Sequence, residues 1–277
     1  MKSVLQALCF AWQLNNLKLL AKRSASTIYS AVISNSQKPA VIKIIKNKAD
    51  FMQELAALTA LQNHGSIRLI ASNQELNALL LDAAKPGEQL SSFFPSNDQQ
   101  GFTIATTLIK QLHQTPLPNN SQFPTLPEWL NALFIAQPNS SIIPTELLTA
   151  AQKIAHKLFA TPGKQVLLHA DLHHENILSN GINWVAIDPK GVIGDAAYEL
   201  APLLCNPIAP LASLQPTNLE LVLTTRIAEL GKLMAIDQII ICHWGLVHAV
   251  AGACWAEEAM QQPNHWIAIA QVLLARS

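Results

Sequence analysis

The sequence predicts an α+β fold in two lobes: a small antiparallel sheet with one main helix over residues 1–83, and a larger, mainly helical lobe over 84–277. Three observations carry this. Short runs rich in Val, Ile and Leu recur between 17 and 81 with polar turns between them, as hairpin-linked strands do. From residue 97 onward, apolar residues recur mostly at helical spacing. Within that helical part, 166–191 breaks the pattern, because strand-like runs at 166–168 and 184–187 frame a polar loop and a turn at Ser179-Asn180-Gly181. Composition agrees with a folded chain: 50% of residues are hydrophobic and 13% charged, and 277 residues can bury about three-quarters of their unfolded surface.

Taken in order, the opening stretch 1–20 reads as an amphipathic helix, since Gln6 and Gln13 interrupt it and no small-residue cleavage site follows. Strands are predicted at 17–22, 26–33 and 40–45, with a turn at 34–39. Ala40-Val41-Ile42-Lys43 loosely matches the V-A-I-K strand that presents a lysine to nucleotide phosphates. The first turn, Arg23-Ser24-Ala25-Ser26-Thr27, has no glycine; as a phosphate cradle it offers its amides and the hydroxyls of Ser26 and Thr27, and otherwise it is an ordinary polar hairpin turn. Helix 49–62 carries Phe51, Leu55, Leu58 and Leu61 on one face, with Asp50 placed to cap or start it and Glu54 placed to pair with Lys43. Strands at 67–71 and 78–81 precede the crossing Asp82-Ala83-Ala84-Lys85-Pro86-Gly87. There the backbone of Asp82 and Ala84 is expected to hold an adenine ring, with Glu88 near the ribose.

In the second lobe, Asp98 is a plausible cap for a helix whose apolar face is Phe102, Ala105, Leu108, Ile109 and Leu112. A loop at 115–127 leads to helices at 128–135 and 144–159, and three more are expected at 217–234, 237–260 and 266–276. The longest apolar run, 239–256, contains His243 and His248 and is short for a membrane span, so it reads as a buried helix. Trp244, His248, Ala251 and Trp255 form one stripe along it, a core face by default. The sharper reading is that part of this stripe, with Glu257 or Glu258, borders a pocket for a second substrate.

Chemistry concentrates in 166–191. His169, Asp171 and Asn176 have the spacing H-x-D-x-x-x-x-N, and twelve residues after the Asn comes Asp188 at a strand end, the arrangement of a protein-kinase catalytic loop and its metal-binding aspartate. A phosphoryl group in transfer spreads charge over its oxygens, so such a site holds Mg²⁺ with hard oxygen ligands and aims a hydroxyl in line. Asn176 and Asp188 fit as the ligands. Asp171 fits as the group that accepts the hydroxyl's proton, and His169 as packing beneath the loop. Beyond it, Asp195 is expected either to cap the next helix or, if buried, to accept amide N–H bonds from the catalytic loop.

The stretches LLHADLHHENIL and WVAIDPKGVIGDAAYEL, followed by Asn206-Pro207, resemble the aminoglycoside phosphotransferase superfamily, most closely its streptomycin 6-phosphotransferase and hydroxyurea phosphotransferase group. The similarity is dense over about 166–207 and looser through Lys43, Glu54 and ALLLDAAKPGEQL. It implies a two-lobed protein-kinase-like fold and Mg²⁺-dependent transfer from ATP, or another nucleoside triphosphate, to a hydroxyl of a small molecule. It also implies that Asp171 is the base and that Asn176 and Asp188 are the metal ligands. His173 matches the histidine these kinases carry where protein kinases have a lysine, and is counted with the acceptor pocket. Ala170 stands where many relatives have glycine, and Ala196 where some have proline.

Other readings are weighed against this one. His169, Asp171, His173 and His174 crowd together as zinc ligands might in a metal hydrolase, but this leaves Asn176 and Asp188 without a role. The glycine-free turn suits a nucleotide-binding pseudokinase without turnover. With 18 basic and 18 acidic residues, nothing electrostatic points to nucleic acid or an anionic membrane. Cys9, Cys205, Cys242 and Cys254 form no C-x-x-C pair, which points to free thiols in a reducing cytoplasm. Residues 200–277 hold only Glu220, Glu229, Asp237, Glu257 and Glu258 as acids, thin for a polycationic aminoglycoside, so a less charged hydroxylated metabolite or antibiotic is expected.

Overall fold

The computed structural model describes residues 2–118, 122–136 and 142–277, so part of the 115–127 loop lies outside the described residues. The first lobe begins with α1 (Lys2–Trp12), followed by β1 (Leu14–Lys22), β2 (Ser26–Ile33), β3 (Lys38–Ile45), α2 (Lys48–Ala60), β4 (Leu69–Asn73) and β5 (Ala78–Asp82). The strands form one antiparallel sheet in the order β1-β2-β3-β5-β4. Val41, Ile42, Ile44 and Ile45 explain why β3 sits centrally, since branched side chains pack well on a pleated surface. One face buries Tyr29, Ala40, Ile42 and Leu80 against Leu8 of α1, and the other buries Ile45, Leu79 and Leu81 against Phe51 and Leu58 of α2. Asn47, rather than Asp50, caps α2, accepting the amides of Ala49 and Asp50 at 2.7 and 3.3 Å.

After β5 the chain crosses into β6 (Pro86–Gln89), which pairs with a strand of the catalytic segment. The second lobe then builds α3 (Asp98–Leu112), α4 (Leu126–Trp129), α5 (Asn131–Ile135) and α6 (Thr145–Ala160). Next come β7 (Gln165–Leu168), β8 (Ile177–Asn180), β9 (Asn183–Ala186) and β10 (Val192–Asp195). The chain closes with α7 (Leu200–Leu204), α8 (Ile208–Ala212), α9 (Pro216–Met234), α10 (Gln238–Glu258) and α11 (Asn264–Leu274). β7 pairs antiparallel with β10, and β6, β8 and β9 form a small sheet, so the polar segment hangs between two short ladders.

α10 is the axis of this lobe, packed by α5, α6, α7, α9 and α11. It is long and apolar enough to cross a membrane, yet 78% of its most apolar window is buried inside the lobe, as expected of a core helix. Asp98 does not cap α3. It pairs instead with Arg226 of α9, at 2.8 and 3.2 Å, while that guanidinium also donates to the carbonyls of Leu204 and Asn206 and lies over the rings of Phe94 and Phe102. A carboxylate facing a buried cation is worth more there than at a helix end, which water can solvate.

Candidate active site

The catalytic loop leaves β7 at His169 and is pinned from below. The amides of His169 and Ala170 donate to the Glu199 carboxylate at 2.7 and 2.9 Å. His169 Nε2 donates to the carbonyl of Ile187 at 2.8 Å, and the amide of Lys190 donates to the carbonyl of His169 at 2.9 Å. The Asn176 side-chain amide donates to the carbonyl of Asp171 at 2.9 Å. The bonds to Ile187 and from Lys190 tie the loop to the segment carrying Asp188, those to Glu199 tie it to the turn after β10, and the Asn176 bond closes the loop on itself. Ala170 (φ 67°) and Asp188 (φ 62°) both lie in the left-handed region. That conformation is strained for alanine by about 1–2 kcal/mol and explains why glycine would suit position 170.

His169 is fully buried, and burial lowers its pKa. Asp195 does not brace the loop. Its carboxylate accepts the amides of Gly163 at 3.0 Å and Ala197 at 2.9 Å, which fastens the α6–β7 connection to the turn after β10. Glu199, 0% exposed and four residues on, takes the role, because the turn Ala196–Glu199 rotates it back beneath β7. The sequence shows both carboxylates but not the turn that decides between them.

Lys43 projects from β3 and its Nζ lies 2.8 Å from both carboxylate oxygens of Glu54 in α2 and 2.9 Å from Asp188. Burial disfavours its charge, but the two carboxylates outweigh burial and hold its pKa above the ordinary value. For Glu54 burial wins and raises the pKa, whereas for Asp188 the lysine overcomes burial and lowers it. Arg23, 54% exposed at its side chain, brings a guanidinium to 4.0 Å from Asp188. Together with Ser24, Ala25, Ser26, Gln53, Trp129 and Lys190, these groups line a cleft of about 360 Å³. Thr27 is not part of it; it is buried in β2 opposite Ile44.

At the crossing, the Asp82 amide is spent on the carbonyl of Arg68 at 2.9 Å and its carboxylate on the Arg68 side chain. Ala84, half-buried, lies with Val41, Val185 and Ile187 on an apolar surface at the lobe junction.

The second-substrate side is only partly as expected. His173 Nε2 lies 3.8 Å from Asp171, and Trp255 packs on the cleft residue Trp129 with ring centroids 5.5 Å apart. Trp244 is 1% exposed and packs edge-on against Tyr198 at 5.4 Å, so it belongs to the core. His248 is likewise buried, sharing a 3.0 Å hydrogen bond with the Tyr198 hydroxyl, and burial pulls its pKa down to about 4. Glu257 and Glu258 lie in the last turn of α10 and do not line the cleft. The apolar stripe had two possible fates, and close packing took its first three members, Trp244, His248 and Ala251, inward. Lys190, absent from the expected set, stands 3.4 Å from Asp171.

A loop carboxylate, a strand-end aspartate and a lysine clamped by a helix glutamate, gathered between a sheet lobe and a helical lobe, define a phosphotransferase of the kinase type. The chain belongs to the aminoglycoside/hydroxyurea antibiotic resistance kinase family, whose model matches residues 11–259. Streptomycin 3''-kinase of Klebsiella pneumoniae is 30% identical over 207 residues, 72% of this chain and 74% of that protein. Hydroxyurea phosphotransferase of Kitasatospora aureofaciens is 25% identical over 272 residues, 93% of this chain and 74% of that one. Among solved structures, aminoglycoside phosphotransferase APH(4)-Ia shares the fold with a TM-score of 0.69 at 13% identity, covering 98% of each chain. Choline kinase LicA from Streptococcus pneumoniae does so at 0.71 and 12%, covering 99% of this chain and 98% of its own. The protein is a small-molecule kinase, an ATP-dependent phosphotransferase with an alcohol group as acceptor.

Proposed function

We propose that this kinase works through Asp171 as the proton acceptor, with residues 1–83 holding the nucleotide and 84–277 the acceptor. The observation carrying this is the position of Lys43, between Glu54 and Asp188 at 2.8 and 2.9 Å, which joins the two lobes at one charge cluster. Adenine would rest on Val41, Ala84, Val185 and Ile187, with the Asp82 carbonyl and Ala84 backbone at its edge. Arg23, Ser26 and the turn amides would take phosphate oxygens where glycine-rich loops use backbone alone.

Asp188 and Asn176 fit Mg²⁺: one is a carboxylate held ionised, and the other has its side-chain N–H₂ spent on Asp171, leaving the amide oxygen to ligate. Bound there, the ion would neutralise phosphate charge. Asp171 accepts the acceptor hydroxyl's proton as the oxygen attacks phosphorus. The acceptor is a hydroxyl compound of low positive charge lying against His173, Trp129 and Trp255, and the acid-poor C-terminal region supports that limit. The four cysteines, all free, suit a reducing cytoplasm. A zinc hydrolase loses its ligands here, since His169 is bonded to Ile187 and His174 is buried against Asp98.

The test is calorimetric titration with ATP with and without Mg²⁺, beside Asp188→Ala, followed by phosphate transfer to streptomycin and hydroxyurea. Saturable Mg²⁺-dependent binding that weakens in the variant is expected. No binding of ATP or GTP overturns the reading, and binding with no turnover on any acceptor returns the pseudokinase.

A further inference from the structure

A phosphoryl group in transfer carries charge spread over its three peripheral oxygens beside the proton acceptor, and a cation that meets them only then stabilises the transfer more than it stabilises bound ATP. The catalytic loop, HADLHHEN at 169–176, contains no lysine or arginine. His173 cannot fill the place with a permanent charge, since its Nδ1 accepts the Glu175 amide, and His174 is turned inward against Asp98 and Phe102. The cation arrives from another segment. Lys190 places Nζ 3.4 Å from Asp171 Oδ2 and lines the same cleft as Lys43, Arg23 and Asp188.

Its backbone is fixed while its head is not. The amide is bonded to His169, and the next residue, Gly191 (φ 67°), is packed so closely that a Cβ would lie 2.9 Å from Ala57 and Phe123. The side chain, by contrast, is 39% exposed, and its contact with Asp171 is longer than the 2.7–2.9 Å of a tight charge-assisted bond. Such a pair can be exchanged for a better partner.

We propose that Lys190 is a catalytic residue that leaves Asp171 for a γ-phosphoryl oxygen during transfer, standing in for the lysine that the loop lacks. This rests on the kinase reading above. The acceptor oxygen forms its bond to the γ-phosphorus as the bond to the ADP bridging oxygen breaks, and that oxygen keeps the electron pair. The hydroxyl proton goes to Asp171, and Lys190 stays protonated throughout, donating hydrogen bonds.

The test uses the full chain with Lys190→Met and Lys190→Arg. Affinity for Mg·AMP-PNP is measured by calorimetry. Turnover is measured as ADP release, with whichever of streptomycin and hydroxyurea the wild type phosphorylates or, failing both, with water. Lys190→Met should lower kcat about 10²–10³-fold, the scale for removing one charge-stabilising donor, while AMP-PNP affinity changes less than about threefold. Lys190→Arg should recover most of the loss. Unchanged kcat in Lys190→Met, or AMP-PNP affinity falling in step with kcat, overturns the assignment and leaves the kinase reading standing. A wild type that binds no Mg·AMP-PNP, or that binds it but releases no ADP from Mg·ATP, overturns the kinase reading and this assignment with it.

Discussion

Two charge clusters stand side by side in this molecule and are built to opposite ends. Around Arg226 everything is matched: the guanidinium meets both oxygens of Asp98 and two backbone carbonyls, and the faces of Phe94 and Phe102 cover it. Around Asp188 the charges are paired more loosely and partly exposed. Lys43, Arg23 and Lys190 face a cleft of about 360 Å³ shared with Asp188 and Glu54, and the Asp171 carboxylate has loose contacts with Lys190 and His173. The first arrangement holds α3 to α9 and has nothing to offer a ligand. The second leaves the Arg23 and Lys190 side chains 54% and 39% exposed beside the cleft, where a polyphosphate can reach them.

The largest effect should come from Asp171→Asn, which keeps the shape but removes the proton acceptor. Turnover should fall about 10²–10⁴-fold with Mg·ATP affinity retained, and a variant within tenfold of wild type would show that the carboxylate does not take the proton. Arg226→Met should leave turnover chemistry intact but cost about 3 kcal/mol in urea unfolding, because partly buried Asp98 and the buried carbonyls of Leu204 and Asn206 lose their donor. Adding Asp98→Asn should return part of that loss. If Arg226→Met costs under about 1 kcal/mol, the two clusters are not as different as their geometry indicates.

Glu199→Gln probes the joint between them. It keeps one acceptor but removes the charge that draws two loop amides, and a loss of about 1.5–3 kcal/mol is expected, with kcat falling while the Trp and Tyr fluorescence of the core is unchanged. The smallest effect is on acid stability. His248 is neutral in the fold down to about pH 4, whereas its unfolded counterpart binds a proton below about 6.5. The unfolded state therefore takes up more protons in that window, and stability falls as pH drops through it, by at most about 1.4 kcal/mol per unit from this residue. Urea melts from pH 7 to 5 should show a shallower decline in His248→Asn; an unchanged slope would place the acid sensitivity elsewhere.

Much of this was legible beforehand. The strand runs, the α2 face and the H-x-D-x-x-x-x-N spacing located β3, Lys43, Glu54 and the catalytic loop, because each depends on local period or short-range spacing. Asp98 is read as a cap but pairs with Arg226, while Asp195, Trp244 and His248 each carry two readings in the sequence, of which the fold takes the cap for Asp195 and the core for the other two. In each case the residue is equally at home locally in two roles: a cap or an ion-pair partner, a loop brace or a turn anchor, a pocket wall or a core ring.

By itself, then, the chain determined the two-lobe order, the family resemblance and the candidate set Lys43, Asp171, Asn176 and Asp188. Tertiary structure alone decided that Glu199 braces the loop, that Arg226 claims Asp98, that the α10 stripe turns inward, and that Lys190 meets Asp171. The physical reason is range. Hydrophobic period and motif spacing are properties of neighbours in sequence, whereas a buried charge chooses its partner only after packing has brought distant segments together and removed the water between them.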